Sequence, residues 1–219
     1  MITVTAYEWV PAFARGHVRD MRVRWALEEE GLDHQIKLIS HADRRAPDNL
    51  ARQPFGQVPS YEDEEVTLFE SGAIVLHIAG KGTALMPSDA AERSQVTSWV
   101  VAALNSLEPM IGQLAEIDIF AAGEDWAVAR RPAVEDMVRA RLADLAAYLD
   151  GRTWLVGDSF TAADLVMACV LRTLGHTDLI SATPVLADYL ARCEARPAFQ
   201  KALAAQLADF DDSKAVAMA

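Results

Sequence analysis

The chain has 219 residues, 52% of them hydrophobic, and a formal net charge of -12. That is enough apolar material for a real core in one or two domains. The acidic balance argues against nucleic acid or an anionic membrane as partner, because such a chain repels phosphate at range.

In chain order, ITVTAY (2–7) is a short β-rich run, followed by a loop over 9–16 that holds Pro11 and Gly16. Val18, Met21 and Trp25, with Val23, Ala26 and Leu27, then recur at helical spacing, and Gly31 is placed to stop the helix. HQIKLI (34–39) predicts a second strand. Residues 41–56 are polar and irregular, with room for one short helical turn. VPSYED and VTLF flank an acidic turn and predict a hairpin whose tip reads as solvated, and SGAIVLHIAG (71–80) predicts a helix. Gly80, Gly82 and Pro87 mark a linker.

From Ala90 onward the chain turns alanine- and leucine-rich. Helices are expected near 90–117, 130–150, 161–175, 184–195 and 197–208, the first capped by Ser88 and Asp89 and kinked or broken at Pro109. The tail over 209–219 is expected to fray. The division is therefore an α/β domain over 1–80, a linker over 81–89 and an all-helical domain over 90–219. One helix start is unusually well specified: Thr161 and Asp164 have the spacing of a capping box, with Phe160 and Leu165 as a hydrophobic staple, and a cap suffices to explain both polar residues.

Cys169 and Cys193 form neither a CxxC pair nor a metal-ligand set, and they read as buried free thiols of a reducing compartment. No metal is expected. The start MITVTAYEWV lacks a basic segment followed by an apolar one, and the longest apolar runs fall short of the roughly 20 residues that a membrane helix needs. The expectation is a cytoplasmic protein with no membrane partner.

Four stretches, RVRWALEEEGL (22–32), PFGQVPSYED (54–63), LFESGAIVLHIA (68–79) and FTAADLVMA (160–168), in this order and at these distances, resemble the cytosolic, bacterial-like glutathione S-transferase superfamily. The resemblance covers nearly the whole chain. It implies a thioredoxin-like N-terminal domain, a helical C-terminal domain, a homodimer, glutathione as co-substrate and a role in detoxification. It also implies that Pro59 follows a cis bond, leaving the Val58 backbone to pair with the cysteinyl part of glutathione as an added strand would. Glu70 then meets the γ-glutamyl ammonium, and Ser71, at a helix start, its carboxylate. Gln57 matches a ligand-contacting position. His41, Arg44 and Arg45 lie in the loop that supplies a basic partner for the glycine carboxylate; Arg45 and His41 are the candidates carried forward.

Family chemistry is activation of the glutathione thiol, whose free pKa of about 8.5 must be lowered by a donor, a cation or a helix start. Members usually carry Tyr, Ser or Cys between the first strand and helix. Residues 7–24 here contain no Ser or Cys. Counting back from Arg22-Val23-Arg24 puts His17 at the serine or cysteine position; aligning Ala14-Arg15-Gly16 puts Pro11 at the tyrosine position instead. His17, Tyr7 and the backbone amides over 16–19, helped by Arg15 or Arg19, remain as candidates, while Arg22 and Arg24 read as structural. Trp9, Val10 and Phe13 with Trp99, Ala103 and Asn105 are candidates for the electrophile pocket.

The leading expectation is a transferase that joins glutathione to a small electrophile, or uses its thiol to reduce peroxides or disulfides. The alternative is a noncatalytic binding or interaction module on the same fold. A thioredoxin-like enzyme acting through its own thiol is disfavoured, because the N-terminal domain has no cysteine.

Overall fold

The computed structural model describes residues 1–215. They pack as two compact units, one from Met1–Leu85 together with the chain from Arg196 onward, the other Met86–Ala195.

The first unit is built on a sheet of four strands in the order β2-β1-β3-β4. β1 (Ile2–Tyr7) runs parallel to β2 (His34–Ile39), with Ile2 opposite His34 and Tyr7 opposite Ile39. β3 (Ser60–Glu62) is antiparallel to β1 and to β4 (Thr67–Phe69), with Thr3 opposite Glu62 and Ser60 opposite Phe69. The register has a direct consequence. The exits of β1, β2 and β4 and the entry of β3 all lie at one end of the sheet. Loops 8–19, 40–46, 53–59 and 70–71 therefore gather at that end, although they are far apart in sequence.

Helix α1 (Asp20–Glu30) connects the two parallel strands and ends on Gly31, whose φ of 63° is the left-handed cap conformation expected of a glycine there. α2 (Pro47–Arg52) is the short turn foreseen in the polar loop, and α3 (Ser71–Lys81) follows β4. α1 is buried from Asp20 through Leu27 rather than along one stripe, because it packs against both α3 and α9 (Pro197–Ala208). Val23, Trp25, Ala26 and Leu27 have no exposed surface, and Trp25 meets Phe199 edge-on at 4.8 Å. Full burial of a large apolar side chain contributes about 1.5–3 kcal/mol.

The sequence expectation placed everything beyond residue 90 in one helical domain, but α9 and residues 209–215 after it pack with the first unit. The reason is polar as well as apolar. Arg196 grips Glu29 with two bonds, at 2.6 and 2.7 Å. Buried Asp20 accepts from Arg24 at 2.7 Å and from the Gln206 amide at 2.9 Å, and Arg24 also reaches Asp209 at 2.6 Å. The tail is held as far as it is described: the Asp211 amide donates to the Glu8 carbonyl at 2.9 Å, and Arg15 bonds Asp212. Fraying was expected from 209; residues 209–215 are tethered, and 216–219 lie outside the described residues.

The acidic hairpin tip is also more than a solvated turn. The Asp63 side chain is only 8% exposed and accepts from the Tyr61 hydroxyl at 2.7 Å, from Lys81 at 2.9 Å and from the amides of Glu65 and Val66. Burial pushes its carboxyl upward, but these donors together win and hold it well below the usual carboxylate range. The linker is tied down in a similar way, with the Glu30 carboxylate accepting the successive amides of Thr83, Ala84 and Leu85 at 2.8–3.0 Å.

The second unit contains α4 (Ala90–Ala102), α5 (Glu108–Ala115), α6 (Asp125–Leu149), α7 (Ala162–Arg172) and α8 (Pro184–Glu194). The single helix expected over 90–117 is interrupted by a wide π-type turn at Ala103–Leu107. Pro109 supplies the cause: it has no N–H to give the carbonyl one turn earlier, so the α register cannot continue through it. α6 starts at Asp125, earlier than expected, and carries Pro132 internally. The cap of α7 forms as read from the sequence. Asp164 is fully buried and accepts from the Thr161 amide and hydroxyl at 3.0 Å each, from the Leu155 amide at 2.9 Å and from the Tyr189 hydroxyl at 3.0 Å.

Candidate functional site

The end of the sheet where the loops gather is the natural place to look for a ligand. The loop leading into β3 folds over Gly56, whose φ is 64° and where a Cβ would come within 2.9 Å of the Arg44 carbonyl and 3.1 Å of the Arg45 side chain. Only glycine fits there, and its presence brings residues 44 and 45 against the segment that precedes β3. Gln57 is exposed and its side-chain carbonyl accepts from Gln53 at 3.5 Å. The Val58–Pro59 bond is cis, as the family resemblance implied. Strand pairing of β3 begins at Ser60, so Val58 sits just outside the ladder. Ser60 is anchored there, its amide donating to the Thr5 hydroxyl at 2.7 Å and the two hydroxyls meeting at 2.9 Å.

Glu70 is the one non-glycine residue with positive φ among the described residues, at φ 69° and ψ 111°. Such a conformation costs on the order of 1–3 kcal/mol and persists only where the surroundings impose it. Its side chain is exposed and makes no cap bond to the helix it precedes. Ser71, the first residue of α3, is 4% exposed, and its hydroxyl oxygen accepts from Arg22 at 3.1 Å. Sequence reasoning left Arg22 among structural residues. An arginine at the start of a helix gives by itself no hint of a buried guanidinium.

The basic loop after β2 gives a second cluster. The His41 ring stacks on Tyr7 with centroids 4.3 Å apart and meets Trp9 edge-on at 6.3 Å. Burial raises the Tyr7 pKa, while the charge and hydrogen bond of Arg44 oppose that rise. Tyr7 thus faces the loop at 41–45 through its stack on His41. His17 belongs to a different loop segment, the one that leads into α1. It is exposed in the turn before α1, and its amide donates to the Ala14 carbonyl at 3.0 Å. Arg15, offered as a helper, is bonded to Asp212 and lies over the Phe210 ring at 5.6 Å.

Of the apolar candidates in the first unit, Trp9 is half-buried, Phe13 is 47% exposed and Val10 is buried. In the second unit Trp99 lies against Tyr148, with ring centroids 4.6 Å apart. Asn105 is exposed in the π-type turn, and Ala103 has no exposed surface. Of the two thiols, Cys169 is half-buried rather than buried. Cys193 is buried, and burial pushes its thiol far up, so it is inert as a nucleophile. Among the described residues no group of three or more His, Cys, Asp or Glu is placed to hold a metal, and no helix is long and apolar enough to cross a membrane.

A mixed sheet carrying a cis-proline segment beside a strained helix start, joined in one chain to a helical unit, defines the class of thioredoxin-like proteins with an appended helical domain. Residues 13–80 match the glutathione S-transferase N-terminal domain and residues 120–197 the glutathione S-transferase C-terminal domain. Glutathione S-transferase 3 of Zea mays is 32% identical over 200 residues, covering 84% of this chain and 88% of the maize protein. The crystal structure of glutathione transferase F7 from Populus trichocarpa shares the fold with a TM-score of 0.81 at 24% identity, over 94% of this chain and 99% of that one. A glutathione transferase family member from Pseudomonas fluorescens, solved with two glutathione bound, gives a TM-score of 0.81 at 25% identity over 92% of each chain. The chain belongs to the glutathione S-transferase family, and with it to the glutathione-dependent transferases.

Proposed function

We propose that glutathione binds at the gathered-loop end of the sheet and that its thiolate attacks a small electrophile. The observation that supports this best is the meeting of three features at that end: the Val58 backbone outside the ladder, Glu70 at positive φ, and the Ser71 hydroxyl at the start of α3. The cysteinyl segment pairs with Val58, with Gln57 and Pro59 shaping the approach. The Glu70 carboxylate takes the γ-glutamyl ammonium, and Ser71 with the first amides of α3 takes the adjoining carboxylate. Arg45 and His41 face the glycine carboxylate. The bound glutathione of the Pseudomonas fluorescens relative supports the same ligand here.

The thiol gives its proton to solvent, the sulfur forms a bond to the electrophilic carbon, and the leaving group departs with its electron pair. His17, in the turn before α1, is the side chain assigned to holding the thiolate, with Tyr7 as the second candidate. Trp9 and Phe13, on the loop after β1, favour an apolar electrophile. The role is detoxification in the cytoplasm, a compartment consistent with free thiols at Cys169 and Cys193. A homodimer is supported by Phe55 and Phe69, which are 59% and 37% exposed with rings 6.1 Å apart, an apolar pair that a second copy would cover. Light scattering on the wild type and on Phe55→Ala checks it, with dissociation expected in the variant.

Ultraviolet difference spectra of the glutathione complex test the main reading. A thiolate band at neutral pH is expected, together with turnover of a reactive aryl halide, and His17→Ala should lower turnover more than glutathione affinity. A complex with neither thiolate nor turnover would sink the assignment of the reaction to this site.

A further inference from the structure

The contact between Arg22 and Ser71 runs in one direction only. A guanidinium has N–H donors and no acceptor, so Nη1 donates and the Ser71 Oγ accepts, at 3.1 Å. A serine hydroxyl carries one hydrogen, and this contact does not use it. The Ser71 hydrogen is therefore available to a different partner. Both residues are 4% exposed, so neither can exchange this bond for water without cost. The first amides of α3 are donors as well, and the Glu70 side chain does not cap them. The Ser71 hydroxyl and the first amides of α3 thus present donors side by side, which suits a carboxylate best.

Arg24, two residues further along α1, makes the contrast. It is just as deeply buried but is spent on Asp20 and Asp209, holding α1 to the C-terminal segment. Arg22 reaches the first residue of α3. We propose that Arg22 is a positioning residue for glutathione: by donating to the Ser71 Oγ it fixes that hydroxyl as a donor to the γ-glutamyl carboxylate. The positive charge behind the oxygen polarises the O–H and strengthens the bond that it gives. This rests on the assignment of Ser71 to the γ-glutamyl carboxylate, and the experiment keeps the two separate.

Calorimetric titration with glutathione and with 4-aminobutyryl-cysteinyl-glycine, the same peptide lacking that carboxylate, gives a preference ratio for each protein. The wild type should prefer glutathione. Arg22→Lys should cut the ratio roughly tenfold, the scale of a hydrogen bond to a charged group, while affinity for the truncated peptide stays near wild type. In a Ser71→Ala background the same substitution should change the ratio little, because the hydroxyl that it acts through is gone. An Arg22→Lys protein that loses affinity equally for both peptides, or an equal loss of preference with and without the Ser71 hydroxyl, overturns the proposal. Should Arg22→Lys not fold, Arg22→Gln, which keeps one neutral donor, is measured in the same way; if neither folds, Arg22 serves the fold and the proposal falls. A wild type that binds both peptides equally overturns the Ser71 assignment itself, whatever Arg22 does.

Discussion

Helices α7 and α3 both begin beside a hydroxyl side chain, yet their starts are built for different ends. At α7 every polar group is answered from within the chain: Asp164 is fully buried and takes four donors, two from Thr161 and one each from Leu155 and Tyr189. At α3 the preceding residue, Glu70, is exposed, held at φ 69° and makes no cap bond, while the Ser71 hydroxyl oxygen accepts from Arg22. A start that satisfies itself adds stability and has nothing left to offer a ligand. A start left open gives up stability and keeps donors in place for an anion. On the proposed function, this difference separates a structural cap from a binding site where residue type does not, since Ser and Thr are ordinary cap residues in both roles.

The sharpest break of this comparison is Asp164→Ala. It leaves buried donors at Leu155, Thr161 and Tyr189 unanswered and should cost about 3–5 kcal/mol of folding stability. Denaturant titration measures it, and glutathione affinity of the protein that remains folded should be unchanged. Ser71→Ala should do the reverse, weakening glutathione by roughly 1–3 kcal/mol in a calorimetric titration with a much smaller shift in the unfolding midpoint. A Ser71→Ala protein with full affinity and greatly reduced stability would make the two starts equivalent.

Glu70→Gly carries the comparison to a change of sign. Glycine accepts the positive φ without strain, so the melting temperature should rise, by about 1 kcal/mol of stability after glycine's own entropic cost, while glutathione affinity falls. Loss of both together would show that Glu70 supports the fold. The smallest effect concerns pH. The Asp63 pKa is depressed in the folded state, so its contribution is present above the unfolded value of about 3.9 and is lost as pH falls through the folded value. Asp63→Asn should therefore flatten the decline in stability below about pH 4, read from melting temperatures along a pH series, and should leave the α3 site untouched.

Much of this was legible in the residues. The α7 cap could be read because all of its specifying groups lie within five residues, and local hydrogen bonds leave a local pattern. Gly31 and Pro109 announced their roles for the same reason: each acts through its own backbone. The cis bond at Pro59 was legible as a resemblance, carried by a short stretch. What could not be read was any contact whose partner lies far along the chain. Arg22 looked structural because Ser71 is 49 residues away. The tail looked frayed because its anchors, Glu8, Arg15 and Arg24, lie near the other end. Asp63 looked solvated because Lys81 is not a neighbour in sequence.

The sequence by itself determined the order of the main elements, the stop of α1 at Gly31, the start of α7, the change from an α/β to a helical pattern near residue 90 and the family. These come from periodicity, backbone preference and short motifs, which are properties of neighbours. Only the tertiary structure decided that α9 packs with the first unit, that four separate loops share one end of the sheet, and that a buried guanidinium stands behind the Ser71 hydroxyl. Those outcomes depend on strand register and on burial of distant charges against one another, and neither leaves a mark on any single stretch of chain.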